Sequence, residues 1–92
     1  MTYQVKFSRR AEKDLHSLPQ DAAWKILDSL ELLRINPFAE ILQFKKLKTN
    51  QSLYRIRIGN YRMIYEVKAG ILVIVVIRVG HRKDVYRYLK DR

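Results

Sequence analysis

Cysteine is absent from this 92-residue chain, which excludes disulfide staples and thiolate metal sites and suits a cytoplasmic protein. Long apolar runs are absent too. The longest, Ile71 to Ile77, falls far short of a membrane span. Met1 to Ser8 alternates polar and apolar residues, so no signal peptide is expected and no membrane partner. There are two prolines and three glycines, with no repeats, low-complexity stretches or interdomain linker. The length suits one domain, residues 1–92, with a single modest core. Two histidines without cysteine give no metal constellation, and no glycine-rich phosphate loop is present, so no cofactor is expected. No Ser-His-Asp arrangement can be argued from the spacing.

Acidic residues are scarce in one half only. Residues 1–44 carry six basic and six acidic side chains, which cancel. Residues 45–92 carry thirteen basic groups against Glu66, Asp84 and Asp91. The whole excess of the +10 net charge therefore sits in the second half. A field concentrated in this way attracts a polyanion: nucleic acid, anionic lipid or an acidic protein. A generally basic, soluble surface is the plainer alternative.

Hydrophobic residues make up 48% of the chain, enough to fold. Tyr3 to Phe7 alternates with period two and reads as a half-buried strand. Ser8 can cap a helix in which Ala11, Leu15 and Leu18 recur at helical spacing, ended by Pro19. Asp21 is the next plausible cap, and Ala23, Ile26, Leu27, Leu30 and Leu33 form an apolar stripe up to Asn36-Pro37. The two helices read as an antiparallel hairpin. Phe38 to Gln51 is a mixed connection holding Lys45, Lys46 and Lys48. Period two then returns: strand Leu53–Ile58, turn Gly59-Asn60, strand Tyr61–Lys68, turn Ala69-Gly70, strand Ile71–Val79. This last strand is apolar at nearly every position, so it should sit centrally, with the first strand beside it. Gly80 should break it, and Asp84–Lys90 reads as a short helical tail. The expected fold is α+β: an N-terminal strand and helical hairpin packed on one face of a four-stranded, mainly antiparallel sheet, with a short C-terminal helix.

Alternation places Arg55 and Arg57 on the sheet face away from the helices, and the hairpin brings Arg62 beside them, with Arg78 placed to join. Like charges at pairing distance destabilise a sheet face unless an anion binds there. Alternatively, these are solvated outward residues, balanced in part by Glu66. After the third strand, His81, Arg82 and Lys83 put three adjacent cationic groups on a loop, followed by Tyr86. That loop is either a functional site or a basic bend with a packed tyrosine. A set of Arg, Lys, Tyr and one His fits metal-free RNA cleavage, in which a ribose 2′-OH attacks the neighbouring phosphate and cations stabilise the developing charge. Arginine is a poor proton donor, so positioning of the RNA by an external scaffold must supply much of the rate.

The run Leu53 to Tyr65, with Asn60-Tyr61-Arg62 at its centre, resembles the RelE/ParE toxin superfamily. So do Val79-Gly80-His81-Arg82-Lys83-Asp84-Val85-Tyr86, the opening Tyr3–Ser8 and the Leu15-Leu18-Pro19 helix end. The resemblance covers nearly the whole chain, and the order and spacing of these short motifs make it fairly specific. It implies a microbial-RNase fold and, for the RelE branch, a toxin that enters the ribosomal A site and cuts the mRNA codon there. It also implies an acidic, RelB-like antitoxin, a toxin monomeric alone and hetero-oligomeric with its antitoxin. By this resemblance Arg55 and Arg57 orient the RNA backbone; Lys45, Lys46, Lys48, Arg78 and Lys83 are further RNA contacts on the strength of their charge and placement. Arg62 stabilises the transition state, Arg82 assists the leaving group, and Tyr86 positions or deprotonates the 2′-OH. Two departures stand out. Arginines replace two strand lysines, and His81 replaces a lysine of some relatives, as an acid or base or, preferably, a packing residue. The ParE branch instead poisons DNA gyrase without cutting RNA. The retained Arg62, Arg82 and Tyr86 favour the RelE branch, and a nucleic-acid-binding module without cleavage is a third reading.

Overall fold

The computed structural model describes residues 2–47, 52–83 and 85. Strand β1 (Gln4–Phe7) shows the expected alternation, with Val5 and Phe7 turned toward the core and Gln4 and Lys6 outward. Ser8 then does two jobs. Its Oγ accepts the Ala11 N–H at 3.0 Å, starting helix α1 (Arg9–His16), and donates to the Ile77 carbonyl at 2.8 Å, pinning that helix start to a distant strand. Helix α2 (Gln20–Ile35) begins directly after Pro19 with no side-chain cap. Asp21 is therefore not the cap but lies in the first turn, where its charge complements the helix N-terminus. Asn36 is extended, as the residue before Pro37 must be, and ends the helix.

The buried line of α2 is Ala22, Ile26, Leu30 and Leu33. It differs from the expected stripe at two places: Ala23 is only half-buried and Leu27 faces outward, as does Trp24, which is 60% exposed. One line of a 3.6-residue helix admits Ile26 or Leu27 at its centre, and the sheet takes Ile26.

The sheet has five strands rather than four, in the order β1-β5-β4-β3-β2. The extra one is β2 (Lys45–Lys46), an edge strand paired antiparallel to β3 (Leu53–Ile58). It is short and bears two exposed lysines, features that protect an edge from unwanted pairing. β3 and β4 (Tyr61–Lys68) form the expected hairpin, closed at Ile58 and Tyr61. After β4 comes a 3₁₀ turn, Ala69–Ile71, and Leu72 takes a φ of 54°, so β5 starts at Val73 rather than Ile71. β5 (Val73–His81) lies between β1, its parallel partner, and β4, its antiparallel partner; the middle place in the sheet belongs to β4. Nor does Gly80 break β5. It pairs with Arg62, His81 pairs with Tyr61, and the Arg82 N–H continues the ladder onto the Asn60 carbonyl at 3.1 Å. Of the expected tail helix Asp84–Lys90, all but Val85 lies outside the described residues.

Helix residues Ala11, Ile26, Leu30 and Leu33 meet Ile56, Met63, Tyr65, Val67, Ile74, Val76 and Val79 in the core. Tyr65 is wholly buried, stacked on Tyr54 at 5.9 Å, and its hydroxyl faces the Pro37 carbonyl at 3.4 Å. The opposite sheet face, expected to be open, has an apolar centre. Leu53 and Ile64 on that face are buried although neither belongs to the helix-side core, and so is Val85 beyond the end of β5. No helix among the described residues is long and apolar enough to cross a membrane.

Candidate nucleic-acid interface

Strand register builds the candidate site in rows. One row runs Lys45, Arg55, Ile64, Arg78 across β2, β3, β4 and β5. The next runs Arg57, Arg62, Gly80. Because alternate residues share a face, both rows lie on the side away from the helices. Arg55, Arg57 and Arg62 are thus brought together, around the buried Ile64.

These arginines differ in their surroundings. Arg57 is exposed. Arg62, directly opposite it, is 7% exposed. Its guanidinium folds back onto its own hairpin, where Nη1 donates to the Tyr61 carbonyl at 2.9 Å and the Gly59 carbonyl at 3.1 Å. Its Nε is buried with no hydrogen-bond partner. Among the described residues no carboxylate forms an ion pair with Arg57 or Arg62. A buried donor left unpaired costs about 1–3 kcal/mol. Gly80, with no side chain, stands beside Arg62 in the row.

Arg78 does not join this group. A β-bulge accounts for its position: Ile64 pairs with Arg78 and Tyr65 with Val76, leaving Ile77 as an extra residue. At this point β5 has run beyond the end of β1, and α1 lies along its edge. Asp14 of α1 uses one oxygen, Oδ2, to accept both Arg78 Nε at 2.8 Å and the Val79 N–H at 3.0 Å. Arg10 approaches the other oxygen at 3.5 Å. Arg78 and Asp14 are both mostly buried, so this pair ties α1 to the sheet rather than presenting a charge to RNA.

The residues after β5 divide in the same way. His81 pairs with Tyr61, and their rings meet edge to face at 6.1 Å. That is the Tyr61 side of the sheet, opposite the row of Arg57 and Arg62, so His81 stands apart from the arginines as a packing residue. Its Nδ1 faces the Lys83 N–H at 3.5 Å. Arg82 and Lys83 are exposed, and the Arg82 backbone is held to Asn60 on the same turn that holds Arg62. Lys45 and Lys46 are exposed on the edge strand. Lys48 and Tyr86 lie outside the described residues. Among the described residues no three His, Asp or Glu side chains gather as metal ligands. The role of Asp14, the bond from Ser8 to the Ile77 carbonyl and the turn carbonyls escape a reading of the sequence, although the Ser8 cap itself does not. Each depends on a partner distant in the chain or on a main-chain group, and no local pattern signals either.

The fold has known counterparts. The model of the ParE toxin of the type II toxin-antitoxin system parDE matches residues 5–86. This chain belongs to the RelE/ParE family of type II toxins. Two toxins of Methanocaldococcus jannaschii are similar to it over most of its length. The putative toxin RelE1 is 32% identical over 88 residues, covering 95% of this chain and 98% of that one. Toxin RelE3 is 37% identical over 87 residues, covering 92% and 97%. Among solved structures, the RelE–RelB complex of Pyrococcus horikoshii OT3 superposes with a TM-score of 0.78 at 35% identity, covering 89% of this chain and 97% of that one. The α+β architecture of this RelE/ParE chain is thus shared with solved RelE toxins.

Proposed function

We propose that this RelE/ParE chain is a ribosome-dependent endoribonuclease, cutting mRNA in the A site and restrained by an acidic antitoxin. The observation that carries the reading is Arg62: a guanidinium nine-tenths buried, beside Arg57, with no carboxylate paired to it among the described residues and with an unpartnered Nε. A cation held in this way suits a phosphate whose negative charge grows during reaction. In this mechanism the 2′-OH attacks the adjacent phosphorus, a 2′,3′-cyclic phosphate forms and the 5′ oxygen leaves with a proton. Arg55 and Arg57 align the backbone, Arg62 stabilises the pentacoordinate phosphate, and Arg82, exposed just past the end of β5, assists the leaving oxygen. Tyr86 takes the family role at the 2′-OH. The described residues offer no evident base, so alignment by the ribosome supplies much of the rate. The M. jannaschii toxins and the P. horikoshii complex support both the RelE branch and an antitoxin partner.

Primer extension on mRNA in a translating extract should show cuts within codons. Arg62→Ala should lower the rate by about two to three orders of magnitude while the protein keeps its fold. Intact mRNA under active translation would refute the reading. The matching family model is that of ParE toxins, which favours a second reading, gyrase poisoning. Inhibition of gyrase supercoiling by the purified chain, with translation unaffected, would select it.

A further inference from the structure

The two arginines assigned to the reacting phosphate meet at one place in the backbone, the turn between β3 and β4. Three successive carbonyls of that turn point at them. The carbonyls of Gly59 and Tyr61 accept the Arg62 guanidinium, and the carbonyl between them, of Asn60, accepts the Arg82 N–H. Gly59 has a φ of +62° while Asn60 does not share the positive φ, the pattern of a II′ hairpin turn with glycine first. The conformation of this turn fixes where all three carbonyls point. A Cβ on Gly59 would meet nothing within 4 Å, so a side chain there acts through the backbone and not by collision.

We propose that the Gly59-Asn60 turn is a positioning element, setting the Arg62 guanidinium and the Arg82 loop against each other through its carbonyls. The inference deepens the ribonuclease reading and rests on it for its effect on rate, but not for its effect on the Arg82 loop. The ladder pairs of Gly80 with Arg62 and His81 with Tyr61 bring the end of β5 to the hairpin, and the Asn60 carbonyl extends that hold by one residue to Arg82, where the chain turns helical. Each arginine is thus placed by a carbonyl one residue from the other's. The turn then acts on reactivity through the two arginines that its carbonyls hold.

The test compares Gly59→Asn, a side chain that tolerates positive φ, with Gly59→Val, which does not. Both are read by amide hydrogen exchange at Arg82 and by single-turnover cleavage on programmed ribosomes. Gly59→Val should speed Arg82 exchange by about tenfold or more. It should lower the maximal cleavage rate by about a hundredfold, with half-saturation by ribosomes unchanged. Gly59→Asn should restore both toward wild type. If Gly59→Val fails to fold, Gly59→Ala carries the same comparison with less strain. The proposal is overturned if the valine variant keeps the Arg82 amide protected, or loses that protection and still cleaves at the wild-type rate. Should the wild-type chain cut no RNA, the ribonuclease reading fails, and the exchange measurement still decides whether the turn sets the Arg82 loop.

Discussion

At the scale of single residues, Arg62 and Tyr65 show what burial does to a polar group. Neighbours in β4 on opposite faces of the sheet, they are enclosed for different reasons. Arg62 is retained with a donor unsatisfied, a condition that raises the energy of the site. The guanidinium plane is what allows two carbonyls to hold Nη1 while other N–H groups remain for a phosphate. An ammonium at this position keeps the charge and loses the fork. Arg62→Lys should therefore fold with nearly unchanged thermal stability and lose about a hundredfold or more in single-turnover rate on programmed ribosomes. Recovery of full rate with lysine would mean that charge alone suffices. Tyr65 gives a purely structural prediction. Burial, reinforced by the neighbouring Tyr54, pushes its phenol well above the ordinary tyrosine range. The unfolded chain deprotonates this tyrosine near pH 10 while the folded one keeps its proton. Stability from this group is then full below pH 10 and falls as pH rises, by about 1.4 kcal/mol per pH unit. Urea midpoints measured from about pH 9 to about pH 11.5 should fall steeply for the wild type and less steeply for Tyr65→Phe. Parallel slopes would show that Tyr65 ionises as easily folded as unfolded.

At the scale of elements, α1 shows how a short helix is kept in place. Eight residues form a marginal helix in isolation, so tertiary contacts must hold it. Ser8 fastens its start to Ile77 and Asp14 fastens its far end to Arg78 and Val79. Both attachments fall at the β-bulge, where β5 has lost its neighbour β1. Asp14→Ala removes the carboxylate that a mostly buried guanidinium and a main-chain N–H share. It should cost about 3 kcal/mol, whereas Asp14→Asn, which still accepts the N–H, should cost less. Chemical denaturation of the two variants checks the order; equal losses would show that the charge is irrelevant. This element also marks where the sequence is readable. The period-two runs, the helical stripe and the Gly59-Asn60 turn are local patterns, and they suffice to place the strands, the helices and the row of Arg55, Arg57 and Arg62. Arg78 follows the same alternation and is read as one more outward cation. Its partner Asp14 stands 64 residues earlier, and a bulge invisible to periodicity brings it within reach. β2 escapes for another reason: two lysines carry no pattern, and they are a strand only because β3 pairs with them. His81 falls between these cases. Its chemistry invites a catalytic role, and the parity of β5, shifted by the bulge, turns it toward Tyr61.

At the scale of the whole molecule, the charge divides along the line that divides the fold. The near-neutral first half builds the helical layer and β1, and the strongly basic second half builds β2 to β5 and the loop beyond. The field of the molecule is therefore strongest on the sheet side, where a polyanion sheds counterions on binding. Removing two of these basic residues should then be visible in salt dependence even with no chemistry. For a single-stranded RNA in the absence of ribosomes, log K should fall linearly with log salt, with a slope set by the number of phosphates neutralised. If Lys45, Arg55, Arg57 and Arg82 each meet one, the slope is about −2.8, since each contributes about −0.7 on a single strand; Lys46, opposite Tyr54, lies on the other side of the sheet. The double variant Lys45→Ala/Arg57→Ala should flatten it by about 1.4 and weaken binding without regard to sequence. Arg9→Ala and Lys13→Ala, exposed on α1, should leave the slope where it was. An acidic antitoxin laid over the same face should abolish RNA binding at low salt and associate at a rate that drops as salt is added. Fluorescence anisotropy across a salt series separates these outcomes. A slope that changes as much for the α1 variants as for the Lys45/Arg57 variant would mean that RNA sees only total charge, and the sheet face would lose its claim to be the binding surface.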